Sequence, residues 1–79
     1  MSGDPDHQTF GERLVGVSFN PSKIPEVDLV KNRFADAIDE ANRVREDTSD
    51  LELGRIADAA INASIEACMW TVKALTWKQ

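Results

Sequence analysis

Phe19 and Lys31 are the residues whose types and spacing could support chemistry in this chain, and that chemistry is binding. Phe19 opens the polar segment Phe19-Asn20-Pro21-Ser22, and Lys31 lies in the first turns of the helix predicted to follow. An aromatic ring can stack on a planar base, which is worth about 1–3 kcal/mol per base. An amine near a helix N-terminus can hold an anion. Phe19, Asn20, Pro21, Ser22 and Lys31 are therefore the candidate ligand-binding residues.

Structural interpretations of the same residues stay open. Phe19 could clamp its segment against the following helix, and Lys31 could be a plain surface lysine. Lys23 is an alternative anion contact because it precedes the helix N-terminus. Trp70 is a stacking platform or, as is commoner beside an apolar stripe, a packing residue. Lys73 follows it by three positions, on the same side of its helix, and could hold a second anion.

Catalysis and metal binding have little support in the sequence. His7 lies in a polar N-terminal segment and Cys68 inside an apolar helical stripe. No cysteine and histidine residues have metal-ligand spacing, and no glycine-rich loop of the phosphate-binding kind is present. We expect a protein that is not an enzyme, with no catalytic residues, no metal and no cofactor.

Composition indicates a small cytoplasmic protein that associates with itself. The chain has 79 residues, 42% of them hydrophobic and 29% charged, with a formal net charge of −5. A domain of this size buries only about 60% of its unfolded surface, so oligomerisation would add needed stability. The acidic balance disfavours DNA or RNA as a partner. The lone cysteine excludes an intramolecular disulfide, and neither a signal peptide nor a membrane span is predicted.

These candidates require a helical frame to position them. We predict a flexible tail over residues 1–9 and a helical-hairpin domain over residues 10–79. Within it, an extended arm (10–24) is predicted because Gly11 and Gly16 interrupt the apolar residues. Helix 1 (about 25–46) starts near Pro25, which suits a first helical turn. Helix 2 (about 50–77) starts at a capping box formed by Ser49 and Glu52.

The apolar spacing predicts an all-α antiparallel two-helix hairpin with an N-terminal extended arm. Asp39 is expected on the solvated face of helix 1. Helix 2 has more apolar surface than one partner helix can cover, which favours assembly into a helical homo-oligomer. The predicted core consists of Val27, Val30, Phe34, Ala37, Ile38, Ala41 and Val44 in helix 1, and of Leu53, Ile56, Ala57, Ala60, Ile61, Ser64, Ile65, Cys68, Met69, Val72 and Leu75 in helix 2.

Four short motifs occur in a characteristic order. Phe19-Asn20-Pro21-Ser22 precedes Val27-x-x-Val30-Lys31 and Ile38-Asp39, and Ala67-Cys68-Met69-Trp70-Thr71-Val72-Lys73-Ala74 closes helix 2. This arrangement, over about residues 15–77, resembles the small helical-hairpin proteins of bacteriophages that act as sponges for cyclic nucleotide immune signals. The family includes inhibitors of the CBASS and Thoeris antiphage systems.

The resemblance implies sequestration without cleavage. Family members hold cyclic dinucleotides such as cGAMP in pockets between the subunits of a hexamer, in the cytoplasm of the infected host. Carried onto this sequence, the arm aromatic is Phe19 and the helix 1 lysine is Lys31. Some relatives also bind cyclic trinucleotides near a symmetry axis, for which Lys73 and Arg55 are the candidate cations here. The family often has tyrosine at the aromatic position, and this chain has none.

Two other functions stay open at this point. Thoeris-directed relatives bind a cyclic ADP-ribose derivative and tend to be longer than this chain, which favours cyclic oligonucleotides. A helical protein-interaction module without a small-molecule ligand would have the same apolar stripes, with its lysines merely on the surface.

Overall fold

The computed structural model describes residues 7–21 and 23–77, and this part of the chain is all-α. Three helices follow one another: α1 (Phe10–Val15), α2 (Pro25–Asp47) and α3 (Leu51–Leu75). The long helices α2 and α3 pack antiparallel, as the sequence predicted, and α1 packs mainly on α2. None of the described helices is long and apolar enough to cross a membrane.

The N-terminal arm is not extended throughout, because residues 10–15 form helix α1. Thr9 caps this helix: its hydroxyl accepts from the Glu12 amide at 3.0 Å, and the Glu12 carboxylate accepts from the Thr9 amide at 2.9 Å. Gly16 ends the helix with a left-handed φ of 70°, which costs glycine little. Residues 1–6 of the tail predicted over residues 1–9 lie outside the described residues, and Thr9 is the N-cap of α1.

Helices α2 and α3 begin with different capping arrangements. Pro25 occupies the first turn of α2, where its missing amide proton is no loss. The box predicted for Ser49 and Glu52 is wrong, because the N-cap of α3 is Asp50. The Asp50 carboxylate accepts from the amides of Glu52 at 2.9 Å and Leu53 at 3.3 Å. Asp50 therefore satisfies two donors that the helix leaves unpaired.

The core between α2 and α3 is rotated from the predicted stripe. Val27, Ile38, Ala57, Ile61 and Cys68 are buried as predicted, together with Ala35 and Lys31, which were not in the predicted core. Val30, Phe34, Ala41, Ser64, Ile65, Val72 and Leu75 are only half-buried, and Ala37, Val44, Leu53, Ile56, Ala60 and Met69 are exposed. These positions are less buried because a helix buries only the stripe that faces its partner, and the predicted stripes were wider than that contact.

Helix α1 lies against α2 through a close backbone contact at Gly11. The Gly11 amide donates to Asp39 Oδ1 at 2.7 Å. A Cβ placed on Gly11 would lie 2.2 Å from the carbonyl oxygen of Ala35, so only glycine permits this approach. Asp39 is half-buried under α1. Its predicted place on a solvated face is therefore wrong.

The opposite side of the hairpin has no covering element among the described residues. Among the described helices, only α1 could cover the hairpin, and α1 packs mainly on α2. We call the uncovered side the open face. It comprises Val30, Phe34, Ala37, Ala41 and Val44 of α2, and Leu53, Ile56, Ala60, Ala63, Ala67 and Trp70 of α3.

Candidate ligand-binding site around Phe19 and Lys31

Lys31 is buried, and its ammonium group ties the arm to α2. Its side chain is 6% exposed, and Nζ donates to the Gly16 carbonyl oxygen at 3.0 Å and to the Phe19 carbonyl oxygen. An ammonium has three N–H donors, so one donor is left over from these two bonds. Lys31 thus has a structural role that the sequence did not indicate, and it retains the capacity to contact an anion.

The ring of Phe19 lies beside the same ammonium. Nζ of Lys31 is 5.4 Å from the ring centroid, within the range of a cation–π contact. Phe19 is 69% exposed, so the ring does not clamp the arm against α2. Together the two residues line a cavity of about 210 Å³, whose lining is Phe19, Asn20, Pro21, Val27, Lys31, Val72 and Thr76.

The charge and polarity of this cavity suit a planar anion. Among the described residues that line it, Lys31 is the only charged one. Stacking surface comes from Phe19, and apolar contacts come from Val27 and Val72. Thr76 adds a hydroxyl at the end of α3, where it already donates to the Val72 carbonyl oxygen at 2.8 Å.

Asn20 fixes the geometry of the segment between Phe19 and α2. Its Nδ2 donates to the Ile24 carbonyl oxygen at 3.0 Å and to Asp28 Oδ1 at 3.0 Å. Pro21 is exposed and lines the cavity, whereas Ser22 lies outside the described residues. Lys23, the alternative anion contact, is exposed with a positive φ of 54° and does not line the cavity.

The two cations predicted on α3 lie far apart. Lys73 is exposed, and its Nζ is 5.4 Å from the ring centroid of Trp77. It also borders a surface cavity with Trp70, Met69 and Glu66. Arg55 borders a different cavity beside the α2–α3 turn. Eighteen residues of helix separate Lys73 from Arg55, about 27 Å, so one chain does not bring them to a single small ligand.

A second cavity lies on the other side of Lys31, beneath α1. It measures about 260 Å³ and is lined by Leu14, Val15, Lys31, Ile65, Cys68, Met69 and Val72. Burial raises the pKa of the Cys68 thiol above its ordinary value, and the nearby charge of Lys31 opposes that shift more weakly. The thiol is therefore held protonated in an apolar setting, as expected for a packing cysteine.

Sequence reasoning missed two features of this region. Thr76 lines the Phe19 cavity although it follows the last helical residue of α3, and no sequence pattern pointed to it. The burial of Lys31 was also missed, although Lys31 lies four residues after Val27 and four before Ala35, on the buried face of α2. This spacing from Val27 and Ala35 was the sequence signal that could have predicted the burial of Lys31.

Across the part of the chain that the structure describes, no three His, Cys, Asp or Glu side chains come together in a way that could hold a metal ion. Comparison with protein-family models, with curated protein sequences and with solved structures gives no match to this chain.

Proposed function

We propose that this protein binds and sequesters cyclic oligonucleotide immune second messengers without cleaving them, and so acts as a phage anti-CBASS sponge. The observation that carries the proposal is the pairing of an exposed aromatic ring with a lysine ammonium 5.4 Å away in one cavity. A nucleotide base would stack on Phe19. A phosphate of the same ligand would accept from the remaining N–H of Lys31.

The size of the cavity supports a site shared between chains. Small-molecule sites usually measure about 300–1,000 Å³, and the Phe19 cavity measures about 210 Å³. A cyclic dinucleotide has two bases and two phosphates, so two such half-sites related by symmetry would match it. This arrangement needs a homo-oligomer, and the resemblance described above implies a hexamer in the host cytoplasm.

Cyclic dinucleotides such as cGAMP are the leading ligands, and two other nucleotide signals are alternatives. Phe19 keeps the stacking of the tyrosine common in the family and lacks its hydroxyl, so discrimination among bases must come from other groups, such as Thr76 and Asn20. Cyclic trinucleotides would use Lys73 and Arg55 supplied by different subunits. Cyclic ADP-ribose would make the protein a Thoeris inhibitor.

Calorimetric titration with cyclic di- and trinucleotides and cyclic ADP-ribose isomers tests the proposal. Phe19→Ala should weaken binding of the preferred ligand about tenfold to a hundredfold, because it removes one stacking contact per base. Leu51→Ala is the matched control: Leu51 is 79% exposed at the far end of the hairpin, and its removal should leave binding unchanged. Ligand recovered intact after heat denaturation would demonstrate sequestration.

The outcomes separate the alternatives. Unchanged binding by Phe19→Ala would place the ligand elsewhere on the protein, and a cleaved ligand would make the protein an enzyme. Phe19 is the better first target, because removing Lys31 would also release the Gly16 and Phe19 carbonyls. A substitution of Lys31 would therefore alter the conformation of the arm as well as the charge of the cavity.

A helical protein-interaction module is the second candidate function. The observation that favours it is the exposure of large apolar side chains, among them Ile56 at 65% and Trp70 at 62%. Such surface commonly marks a protein interface. The absence of binding heat with every nucleotide in the panel would favour this function over the sponge.

A further inference from the structure

One row of the open face has the spacing of a helix-packing seam. It runs along α3 through Leu53, Ile56, Ala60, Ala63, Ala67 and Trp70, alternating steps of three and four residues. That alternation is typical of a helix whose seam lies against another helix in a supercoil. We call this row the α3 seam. Its six residues are exposed, so among the described residues it has no partner helix.

From this arrangement we infer that the α3 seam is the interface with a second copy of the chain, whose α3 packs antiparallel around a two-fold axis at Ala63. The interface does not depend on the nucleotide ligand proposed above. Ala60, Ala63 and Ala67 form its centre, where small side chains let two helices approach closely. Ile56 and Trp70 form its ends.

The residue pattern of the seam is self-complementary, as a two-fold interface requires. Ile56 precedes Ala63 by seven residues and Trp70 follows it by seven. In an antiparallel pair centred on Ala63, Ile56 therefore lies opposite the second copy's Trp70, and each contact occurs twice. The ring of Trp70, 62% exposed in one chain, is covered in the pair.

The charges beside the seam have the same symmetry. Glu52 precedes Ala63 by eleven residues and Lys73 follows it by ten. Antiparallel pairing brings Glu52 close to the second copy's Lys73, and the reciprocal pair forms at the other end. Opposite charges at matching distances fix the register and exclude a parallel pair, in which like charges would meet.

Electrostatics also favours α3 over α2 as the paired helix. α3 carries three acidic and two basic residues, whereas α2 carries seven acidic and four basic residues. The chain as a whole has a net charge of −5, so two copies repel most weakly when α3 faces α3. Added salt screens the remaining repulsion between the acidic bodies. Association of the wild type should therefore persist at higher ionic strength.

Sedimentation velocity across a protein dilution series, without nucleotide, tests the inference. The wild type should sediment as a species containing an even number of chains. Ala63→Glu should raise the dimer dissociation constant about a hundredfold, because it sets two like charges at the centre of an apolar interface. Asn62→Glu is the matched control: it adds the same charge one residue away, outside the seam, and should leave the constant near the wild-type value.

Charge reversal tests the register separately. Glu52→Lys and Lys73→Glu should each raise the dissociation constant about threefold to tenfold, and the double variant should restore it. A monomeric wild type, an Ala63→Glu variant that dimerises normally, or a double variant that is no better than the singles would overturn the inference. Far-ultraviolet circular dichroism would verify that each variant stays helical. Sedimentation of Phe19→Ala tells the two proposals apart: Phe19 lies outside the α3 seam, so this variant should pair like the wild type whether or not it binds nucleotide.

Discussion

The two sides of the α2–α3 hairpin are completed in different ways. On one side, a few specific hydrogen bonds hold α1 and the arm. The Gly11 amide donates to the Asp39 carboxylate, and the Lys31 ammonium donates to two backbone carbonyl oxygens of the arm. On the other side, the open face is apolar and has no cover among the described residues. The α1 side therefore depends on single residues with fixed geometry, whereas the burial of the open face depends on which surface packs against it.

Gly11→Ala should disrupt the packing of α1 on α2 and have the largest effect on stability. The new Cβ would lie 2.2 Å from the Ala35 carbonyl oxygen and 2.9 Å from Asp39 Oδ1, so α1 must move away from α2. We expect a loss of about 3 kcal/mol in the free energy of unfolding, measured by urea denaturation at fixed protein concentration.

Gly54→Ala is the control for that experiment. A Cβ at Gly54 meets nothing within 4 Å, and alanine in a helix is favoured over glycine by roughly 0.5–1 kcal/mol. Gly54→Ala should therefore stabilise the protein. Equal effects of the two substitutions would contradict the close approach of α1.

Lys31→Met should have the next largest effect. Methionine keeps the apolar stem of the side chain but removes the donors to the Gly16 and Phe19 carbonyls. We expect a loss of about 2 kcal/mol, together with faster amide hydrogen exchange in the arm. In protein dilute enough to stay unpaired, Lys73→Met, at an exposed lysine, should change the free energy of unfolding by less than about 0.5 kcal/mol.

Ile56→Ala tests the open face and should have a smaller effect. In dilute protein, where Ile56 is 65% exposed, the change in the free energy of unfolding should stay below about 0.5 kcal/mol. If a second copy covers the α3 seam, the effect should grow with protein concentration, because dissociation then accompanies unfolding. A concentration-independent effect would indicate that Ile56 stays uncovered.

The titration of Cys68 should have the smallest effect on the free energy of unfolding, and only at alkaline pH. Burial raises the pKa of its thiol in the folded state, so above about pH 8.5 the unfolded chain releases the proton before the folded one does. The unfolded state then binds fewer protons, and stability falls as the pH rises from there. Urea denaturation at pH 7 and above pH 9 should reveal this slope in the wild type, and Cys68→Ala should reduce it.

Much of the fold follows from local patterns in the sequence. Pro25, the apolar periodicity and the polar break before Leu51 place two long helices and a turn where the structure has them. The sequence pattern does not predict helix α1, because Gly11 and Gly16 interrupt its apolar residues. One of these glycines allows contact with α2 and the other ends the helix.

The candidate site was only partly predictable. The types of Phe19 and Lys31 predicted them as candidate ligand contacts, and the structure brings them to the same cavity. Their backbone hydrogen bonds, the contribution of Thr76 and the separation of Arg55 from that cavity depend on how the arm folds back across α2 and the end of α3. The spacing of residues along the chain does not predict where the arm packs on α2 and α3.

The sequence by itself determined the two long helices, because helix formation depends on residues within a few turns of one another. It also determined that apolar surface would exceed what one hairpin can bury. Only the tertiary structure decided which apolar stripe became the core and which face stayed open. It also decided that Lys31 is buried, with its ammonium hydrogen-bonded to two backbone carbonyl oxygens. Those outcomes depend on the rotation of each helix about its axis, which is set by packing against residues distant in the sequence.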